Sequence, residues 1–336
     1  MDRLIYVDEE QGVARFETLL NRVYAGTPHI SPVHRMAFRH ALDPQNPLRR
    51  FSTWRNLLIV DGTETLAHAS VSIDTRRPQV AHVGYVESVG APEVVKRLFE
   101  GISEVARDLG ADLVRGPINF STWQEFRSVA GTPTDTVRPT YFLEPASSVS
   151  SSTWRHAGFI PKASYISTQQ EAAAAPFSSR TVKGFTVERL TKDTVEAAVA
   201  ELHEVACDAF KDTWAFTPIS LGEFRHVYAY PLSNLDTFTI FTARDQKGIM
   251  QGFFVGAADV FDVRHKTFIF KTIAVRAQSQ QKGIGSALFS AVHEHAQSEG
   301  YESYIYSTML VQNSSIRHMV GYGDTFRTYE VGELAL

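Results

Sequence analysis

The sequence has little cysteine and no long apolar run. Cys207 is its one thiol in 336 residues, which excludes internal disulfides and sites with several thiolate ligands. No segment approaches the roughly eighteen continuous apolar residues of a membrane helix, and the acidic opening MDRLIYVDEEQG is unlike a signal peptide. No lysine or arginine block stands out and the formal net charge is −4, so neither a nucleic-acid surface nor a basic membrane face is predicted. We therefore expect a soluble cytoplasmic protein.

The composition is that of a folded chain. Hydrophobic residues make up 43% and charged residues 21% of the sequence, which is enough apolar material for a core and excludes disorder. A length of 336 residues suits two domains of ordinary size.

The most informative stretch is QQKGIGS at residues 280–286. The run before it, TFIFKTIAV, is aromatic and β-branched, which predicts a strand. The run after it has apolar residues at helical spacing from Ile284 to Val292. Two glycines allow close approach of the backbone, and the first helical turn offers unpaired N–H groups at the positive end of the helix dipole. This pattern predicts an anion site.

The stretch is not a common nucleotide motif. It lacks the GKS or GKT of a P-loop, and it lacks the third glycine and following acid of a dinucleotide fold. It resembles instead the coenzyme A loop of the GNAT acyltransferases, Q/R-x-x-G-x-G/A, here Gln280-x-x-Gly283-x-Gly285. The order that follows also resembles that family: a second strand ESYIYST, then Asn313 before a short helical piece, then a final strand TFRTYEVGEL.

The resemblance implies an α/β fold with a mixed (α+β) sheet and acetyl-CoA as the acyl donor, without a metal. Its Gly-rich loop would bind the pyrophosphate, and the strand before the loop would pair with the pantetheine amides. The residues implied in donor binding are Ile273, Ala274, Val275, Gln280, Gln281, Lys282, Gly283, Ile284, Gly285, Ser286 and Asn313.

The first half repeats this order. A strand HVGYVES, a helix from Pro92, a strand DLVRGPI and then Asn119 follow one another, which indicates an internal duplication at domain scale. Only SVGAP lies between that strand and helix, without a Gln-x-x-Gly-x-Gly. We therefore expect two tandem GNAT-like folds, in which residues 1–168 do not bind the donor, 169–183 are a linker, and 184–336 are the acetyltransferase domain. The first domain would build the substrate cleft, form a homodimer or support its neighbour.

The catalytic base is not evident. The family often has a glutamate on the strand before the loop, but KTFIFKTIAV has no carboxylate. The acids and imidazole of the preceding helix, Glu201, Glu204 and His203, are more simply interpreted as solvated or structural. The same holds for Asp259 and Asp262. Cys207 lies at an apolar helix position and is interpreted as a core thiol.

The catalytic acid is equally open. Family members often have a tyrosine seven residues after the asparagine, and that position is Val320 here. Tyr322, between Gly321 and Gly323, is the nearest phenol and is our candidate for the residue that protonates the leaving thiolate.

The substrate class is weakly indicated. The aromatic residues of the helical region before the cleft favour an amine on a bulky or apolar body, although core packing explains them as well; they are Phe210, Trp214, Phe216 and Phe224. The leading prediction is N-acetyl transfer from acetyl-CoA to a small-molecule primary amine by direct attack on the thioester. The alternatives are acyl transfer from aminoacyl-tRNA, which calls for a basic surface, and a catalytically silent coenzyme A-binding or scaffold module.

Overall fold

The computed structural model describes residues 3–7, 9–27, 30–89, 91–130, 140–145, 147–175, 178–262, 266–312 and 323–336. The chain forms two compact units. The N-terminal unit comprises Met1–Thr140, Pro145–Ser164 and Thr328–Leu336. The C-terminal unit comprises Tyr141–Glu144 and Tyr165–Arg327. Within the described ranges, none of the helices has the length and apolarity needed to span a membrane.

The N-terminal unit is a sheet with helices on it. Its strands are β1 (Arg3–Val7), β2 (Ser52–Asp61), β3 (Glu64–Asp74), β4 (Val80–Ser88), β5 (Leu113–Gly116) and β6 (Ser128–Val129), with the first part of β7 (Ile160–Glu171) and most of β13 (Asp324–Ala335). Its helices are α1 (Glu9–Val23), α2 (Ile30–Leu42), α3 (Pro92–Asp108) and α4 (Ser151–His156), with a 3-10 turn at Pro47–Arg50.

The C-terminal unit has the same ingredients. Its strands are the second part of β7, β8 (Phe185–Arg189), β9 (Phe238–Asp245), β10 (Met250–Ala258), β11 (Thr267–Val275) and β12 (Ser303–Leu310). Its helices are α5 (Val195–Phe210), α6 (Leu221–Val227), α7 (Ala229–Ser233) and α8 (Ile284–Ser298), with 3-10 turns at Ala172–Ala174 and Ala277–Ser279.

The two units share one topology. Strands β2, β3 and β4 are antiparallel neighbours, and β4 is joined through α3 to a parallel β5. Strands β9, β10 and β11 are likewise antiparallel, and β11 is joined through α8 to a parallel β12. The duplication predicted from the order of elements is therefore present in the pairing as well.

Each long helix lies on its sheet through an apolar face. In the N-terminal unit, α3 buries Leu98 and Ile102 among strand residues such as Val71 and Val83. In the C-terminal unit, α8 buries Leu288 and Val292 against Phe254, Phe268 and Phe270. Because burial of one such side chain contributes about 1.5–3 kcal/mol, these apolar faces hold each helix in place on its sheet.

The units exchange short segments, and here the boundaries differ from the predicted ones. Thr328–Leu336 completes the N-terminal unit, where Gly332 lies opposite Gly116 in a β13–β5 pair. Tyr141–Glu144 belongs to the C-terminal unit. The predicted linker also begins too early, because 168–171 is the end of β7, paired with β12. The polar sequence TQQE gives no strand pattern, and tertiary pairing decides its conformation.

A buried histidine makes the N-terminal unit sensitive to acid. His68 on β3 is fully buried, with Nδ1 2.8 Å from the Tyr85 carbonyl oxygen and its ring 4.4 Å from the Phe16 ring. Burial lowers the pKa of His68 to about 4, although the Tyr85 carbonyl and Glu87 act in the opposite direction. The unfolded chain therefore binds a proton at this position between about pH 6.5 and 4 that the folded protein does not.

We expect His68→Asn to change the pH dependence of stability. Asparagine keeps an N–H donor near the Tyr85 carbonyl but cannot titrate. Relative to this variant, the wild type should lose about 3 kcal/mol of unfolding free energy as the pH falls from 7 to 4. Hydrogen exchange of the β3 and β4 amides measures this, with the exposed His156→Asn as control. A stability difference that is constant over this range would contradict the assignment.

Candidate functional site

Strands β11 and β12 separate halfway along their length. They pair from Thr267 opposite Ser303 to Phe270 opposite Tyr306, and their pairing ends there. Beyond this point β11 continues against β10, ending with Val275, while β12 continues against β7. The result is a V-shaped gap whose vertex lies just after the last pair. Among the described residues, no strand pairs with the side of β11 that faces this gap.

A β-bulge accompanies the separation. The register of β10 on β11 shifts between Val255 and Gly256, which leaves Lys271 without an opposite residue. Gly256 allows a close approach there, because a Cβ on it would lie 2.5 Å from Cζ of Phe268. A bulge bends a strand and increases its twist, so it turns the end of β11 away from β12.

The open edge of β11 presents backbone groups. The Arg276 amide donates to the Gln251 carbonyl at 2.9 Å, toward β10. Directions alternate along an antiparallel pair, so the backbone N–H and C=O of Ala274 face β10 while those of Ile273 and Val275 face the gap. An extended ligand can pair with these groups as an additional strand does.

The loop that follows is held rigidly. The Ser279 hydroxyl donates to Oε1 of Gln251 at 2.8 Å, with both residues buried, and the Ala277 amide donates to the Asp208 carboxylate at 2.7 Å. Lys211 and the Ala277 amide lower the pKa of Asp208, so this carboxylate is charged at neutral pH. Sequence reasoning missed these contacts, because Asp208 and Gln251 are distant in the chain and ordinary in type.

The glycine loop ends at a bare helix terminus. Gln281 and Gly283 have positive φ, 61° and 84°, and α8 begins at Ile284 with the Ala287 amide donating to the Gly283 carbonyl at 3.0 Å. The amides of the first turn, which includes Gly285, have no intrahelical acceptor. Residues 280–283 are exposed. Bare amides and the helix dipole together make this end suited to binding an anion.

The two glycines differ in what they require. Gly283 is left-handed, and a Cβ on it would lie 3.2 Å from Cγ2 of Val182. Gly285 has no such constraint, since a Cβ on it would meet Cδ1 of Ile273 at an ordinary 3.5 Å. No described protein atom therefore requires glycine at 285, whereas a ligand lying against the helix terminus would.

The remaining predicted donor residues are placed around this loop. Ile273, Ala274 and Val275 form the end of β11, and Gln280 donates from Nε2 to the Val275 carbonyl at 3.3 Å. Lys282 is exposed in the loop. Ser286 is exposed in the first turn of α8. Asn313 and Tyr322, with Val320 and Gly321, lie outside the described residues.

The proposed alternatives for the base are engaged elsewhere. Glu201 pairs with Arg244 at 2.8 Å and Glu204 with Arg276 at 2.9 Å. His203 is 2.8 Å from the Ile219 carbonyl oxygen through Nε2. These contacts fix α5 and its neighbours, which agrees with a structural interpretation.

The acids after β10 and the thiol are also structural. Asp259 accepts from the Phe142 amide at 2.9 Å, and Asp262 accepts from the Thr267 hydroxyl at 2.9 Å. Burial raises the pKa of Cys207, partly offset by a hydrogen bond with the backbone of Ile219, so its thiol is not activated as a nucleophile.

The aromatic residues of this region do not all belong to one environment. Phe224 is buried, with its ring 4.6 Å from Tyr228. Phe210, Trp214 and Phe216 are half-buried. Their role in a substrate pocket stays a prediction. Among the described residues, no group of histidine, cysteine and carboxylate side chains has the arrangement of a metal site.

The equivalent gap in the N-terminal unit is closed by its own chain. Pairing of β4 with β5 ends at His82 opposite Arg115. Beyond it, the Ile118 amide donates to the Val83 carbonyl at 2.8 Å, and the Asn119 side chain accepts from the Tyr85 amide at 2.8 Å. The edge that stays open in the C-terminal unit is therefore occupied here by backbone and an asparagine.

These features are those of an acyltransferase fold, and the comparisons agree. Residues 199–319 match the model of the acetyltransferase (GNAT) family. The C-terminal half therefore contains a GNAT domain, and the chain as a whole has the fold of tandem GNAT proteins, as predicted. The match of residues 199–319 to this family supports an acyl-transfer function.

Three solved structures show the extent of the likeness. A tandem GNAT protein from the clavulanic acid biosynthesis pathway, solved without AcCoA, is similar over 100% of this chain and 98% of its own, with a TM-score of 0.65 at 10% identity. A GCN5-related N-acetyltransferase from Sphaerobacter thermophilus is similar over 99% and 95%, with a TM-score of 0.58 at 14% identity. A probable N-acyltransferase from Enterococcus faecalis V583 is similar over 100% and 73%, with a TM-score of 0.59 at 10% identity. No curated protein matches the sequence.

Alanine at the two loop glycines should separate strain from ligand demand. Gly283→Ala should lower the unfolding free energy by about 1–2 kcal/mol, because an L-residue is strained at its left-handed φ. Gly285→Ala should leave it unchanged or raise it by up to about 1 kcal/mol, since it adds a helix former where there is room. Hydrogen exchange of α8 amides measures both. Equal destabilisation by the two changes would mean that packing, not a ligand, requires the second glycine.

Proposed function

We propose that this chain is an N-acetyltransferase that transfers the acetyl group of acetyl-CoA to a primary amine of a small molecule. The observation that carries the proposal is the open edge of β11 leading directly to the bare amides of α8. The edge of β11 offers strand-like hydrogen bonds to the amides of a pantetheine arm, and the first turn of α8 offers N–H groups to a diphosphate.

The residues present fit this donor. Gly285 has no side chain, so the space beside the helix terminus is open to a ligand. No described protein atom occupies that space closely enough to exclude a Cβ. Exposed Lys282 adds positive charge beside it. In this proposal residues 280–286 hold the diphosphate, and Ile273 and Val275 pair with the arm.

The chain's own groups then perform the transfer as follows. The donor supplies an activated acyl group as a thioester. Strand pairing with Ile273 and Val275 would bring the thioester carbonyl within reach of backbone N–H groups of β11. Donors fixed in this way stabilise the negative charge that develops on the oxygen as the amine attacks. The acids of α5 are held in ion pairs, so the proposal assigns none of them as the base.

Donor binding belongs to the C-terminal unit alone in this proposal. The N-terminal unit has no glycine loop between β4 and α3. Ile118 and Asn119 use the strand edge on which an arm would lie. We therefore infer one donor site per chain.

Titration with acetyl-CoA tests the loop. The wild type should bind one equivalent, and Gly285→Asp should weaken binding by about 100-fold or more, because a carboxylate would face the diphosphate at close range. Gly283→Asp should act in the same direction, with added strain. The matched control is Gly26→Asp, which adds the same charge at an exposed glycine in the other unit with nothing within 4 Å of its Cβ. Binding that survives Gly285→Asp would refute the loop assignment.

Thiol release over a panel of amines tests the reaction. We expect acetyl-CoA-dependent release with at least one primary amine, absent in Gly285→Asp and retained in Gly26→Asp. Acetyl-CoA binding without release from any amine would favour a coenzyme-binding module. Release that requires charged tRNA instead of acetyl-CoA would favour the aminoacyl-tRNA alternative.

A further inference from the structure

A short polar cluster lies at the vertex of the gap. Ser307 is the residue of β12 directly after Tyr306, the last residue paired with β11, and it is buried. The Tyr141 hydroxyl donates to the Ser307 hydroxyl at 2.8 Å and is 2.9 Å from the Ser167 hydroxyl. Tyr141 comes from Tyr141–Glu144, a segment of the C-terminal unit that lies in the chain between Met1–Thr140 and Pro145–Ser164 of the N-terminal unit.

Each residue of Tyr141–Glu144 makes a polar contact that holds the segment in place. The Phe142 amide donates to Asp259 at 2.9 Å, and Nζ of Lys271, the bulge residue of β11, donates to the Leu143 carbonyl at 3.0 Å. Glu144 forms a buried ion pair with Arg327 at 2.7 Å. These contacts with β11 and with the loop after β10 hold the Tyr141 phenol at the vertex.

The hydrogen-bond direction defines what Ser307 can do. Because the Ser307 oxygen accepts the hydrogen bond from Tyr141, the Ser307 O–H donates to an acceptor other than Tyr141. The diphosphate site is at the far end of the open edge, so an arm lying along β11 brings its sulfur end toward the vertex. The Ser307 hydroxyl, which accepts a hydrogen bond from the Tyr141 phenol, thus lies where a thiolate would form.

We propose that Ser307, in place of the Tyr322 predicted from the sequence, is the catalytic acid of the acyl transfer and that Tyr141 is the positioning residue that supplies its proton. This rests on the proposed function. The amine nitrogen bonds to the acyl carbon, the carbon–sulfur bond breaks, and its electron pair passes to sulfur. The sulfur takes the Ser307 proton, Ser307 takes the Tyr141 proton, and the proton lost by the amine restores the Tyr141 phenol. The products are the amide and the free thiol.

The pKa of the thiol of bound coenzyme A tests this without turnover. In the wild type, the Ser307 O–H donates to the thiolate and lowers that pKa. Ser307→Ala should raise it by about one unit, as expected for a hydrogen bond to a charged group, and Tyr141→Phe should raise it by less. Ser307→Thr keeps the hydroxyl and should stay near the wild-type value. Ultraviolet absorbance of the thiolate against pH measures all four proteins.

Ser303→Ala is the matched control, a buried serine on the same strand away from the vertex. With a reactive amine in hand, Ser307→Ala should lower kcat by about 100-fold with little change in KM. A thiol pKa that is the same in wild type and Ser307→Ala overturns the inference while leaving the proposed function intact. Failure of the wild type to bind coenzyme A overturns the proposed function itself, and this inference with it.

Discussion

The site depends on one departure from regular pairing, the loss of hydrogen bonds between β11 and β12 after Phe270. A parallel pair in the middle of a sheet normally has every backbone group satisfied. Here the bulge at Lys271 and the close approach at Gly256 bend β11 away, and the amides of Ile273 and Val275 face a gap that no described strand fills. Backbone groups that lack partners are costly to bury, so an edge of this kind suits an extended ligand that completes it.

The two units have the same fold, but the gap between the two parallel strands is open in one unit and closed in the other. In the C-terminal unit the gap leads to a glycine loop and a helix terminus. In the N-terminal unit, the amide of Ile118 and the side chain of Asn119 take up the corresponding groups of β4. In the N-terminal unit the protein itself therefore supplies the hydrogen bonds that the C-terminal unit leaves to a ligand in the proposed function.

The sequence predicted the fold well where the pattern is local. The strand, glycine loop and helix around Gly283 follow from periodicity and residue type, and the duplication follows from the repeated order. The end of β7 could not be predicted, because Gln169 and Gln170 are polar and become strand only by pairing with β12. The contacts of Asp208 with Ala277 and of Tyr141 with Ser307 join residues far apart in the chain, and ordinary residue types carry no sign of such contacts. The closure of the first gap by Asn119 was missed for the same reason, although its position after β5 was noted.

The exchange of segments has a consequence for synthesis. Residues 332–335 pair with the β5 edge of the N-terminal unit, and they leave the ribosome long after β5 does. The first half emerges with an unpaired strand edge, which is a template for aggregation until it is covered. Closure of this edge must wait until translation has passed β8 to β12 of the C-terminal unit and reached β13.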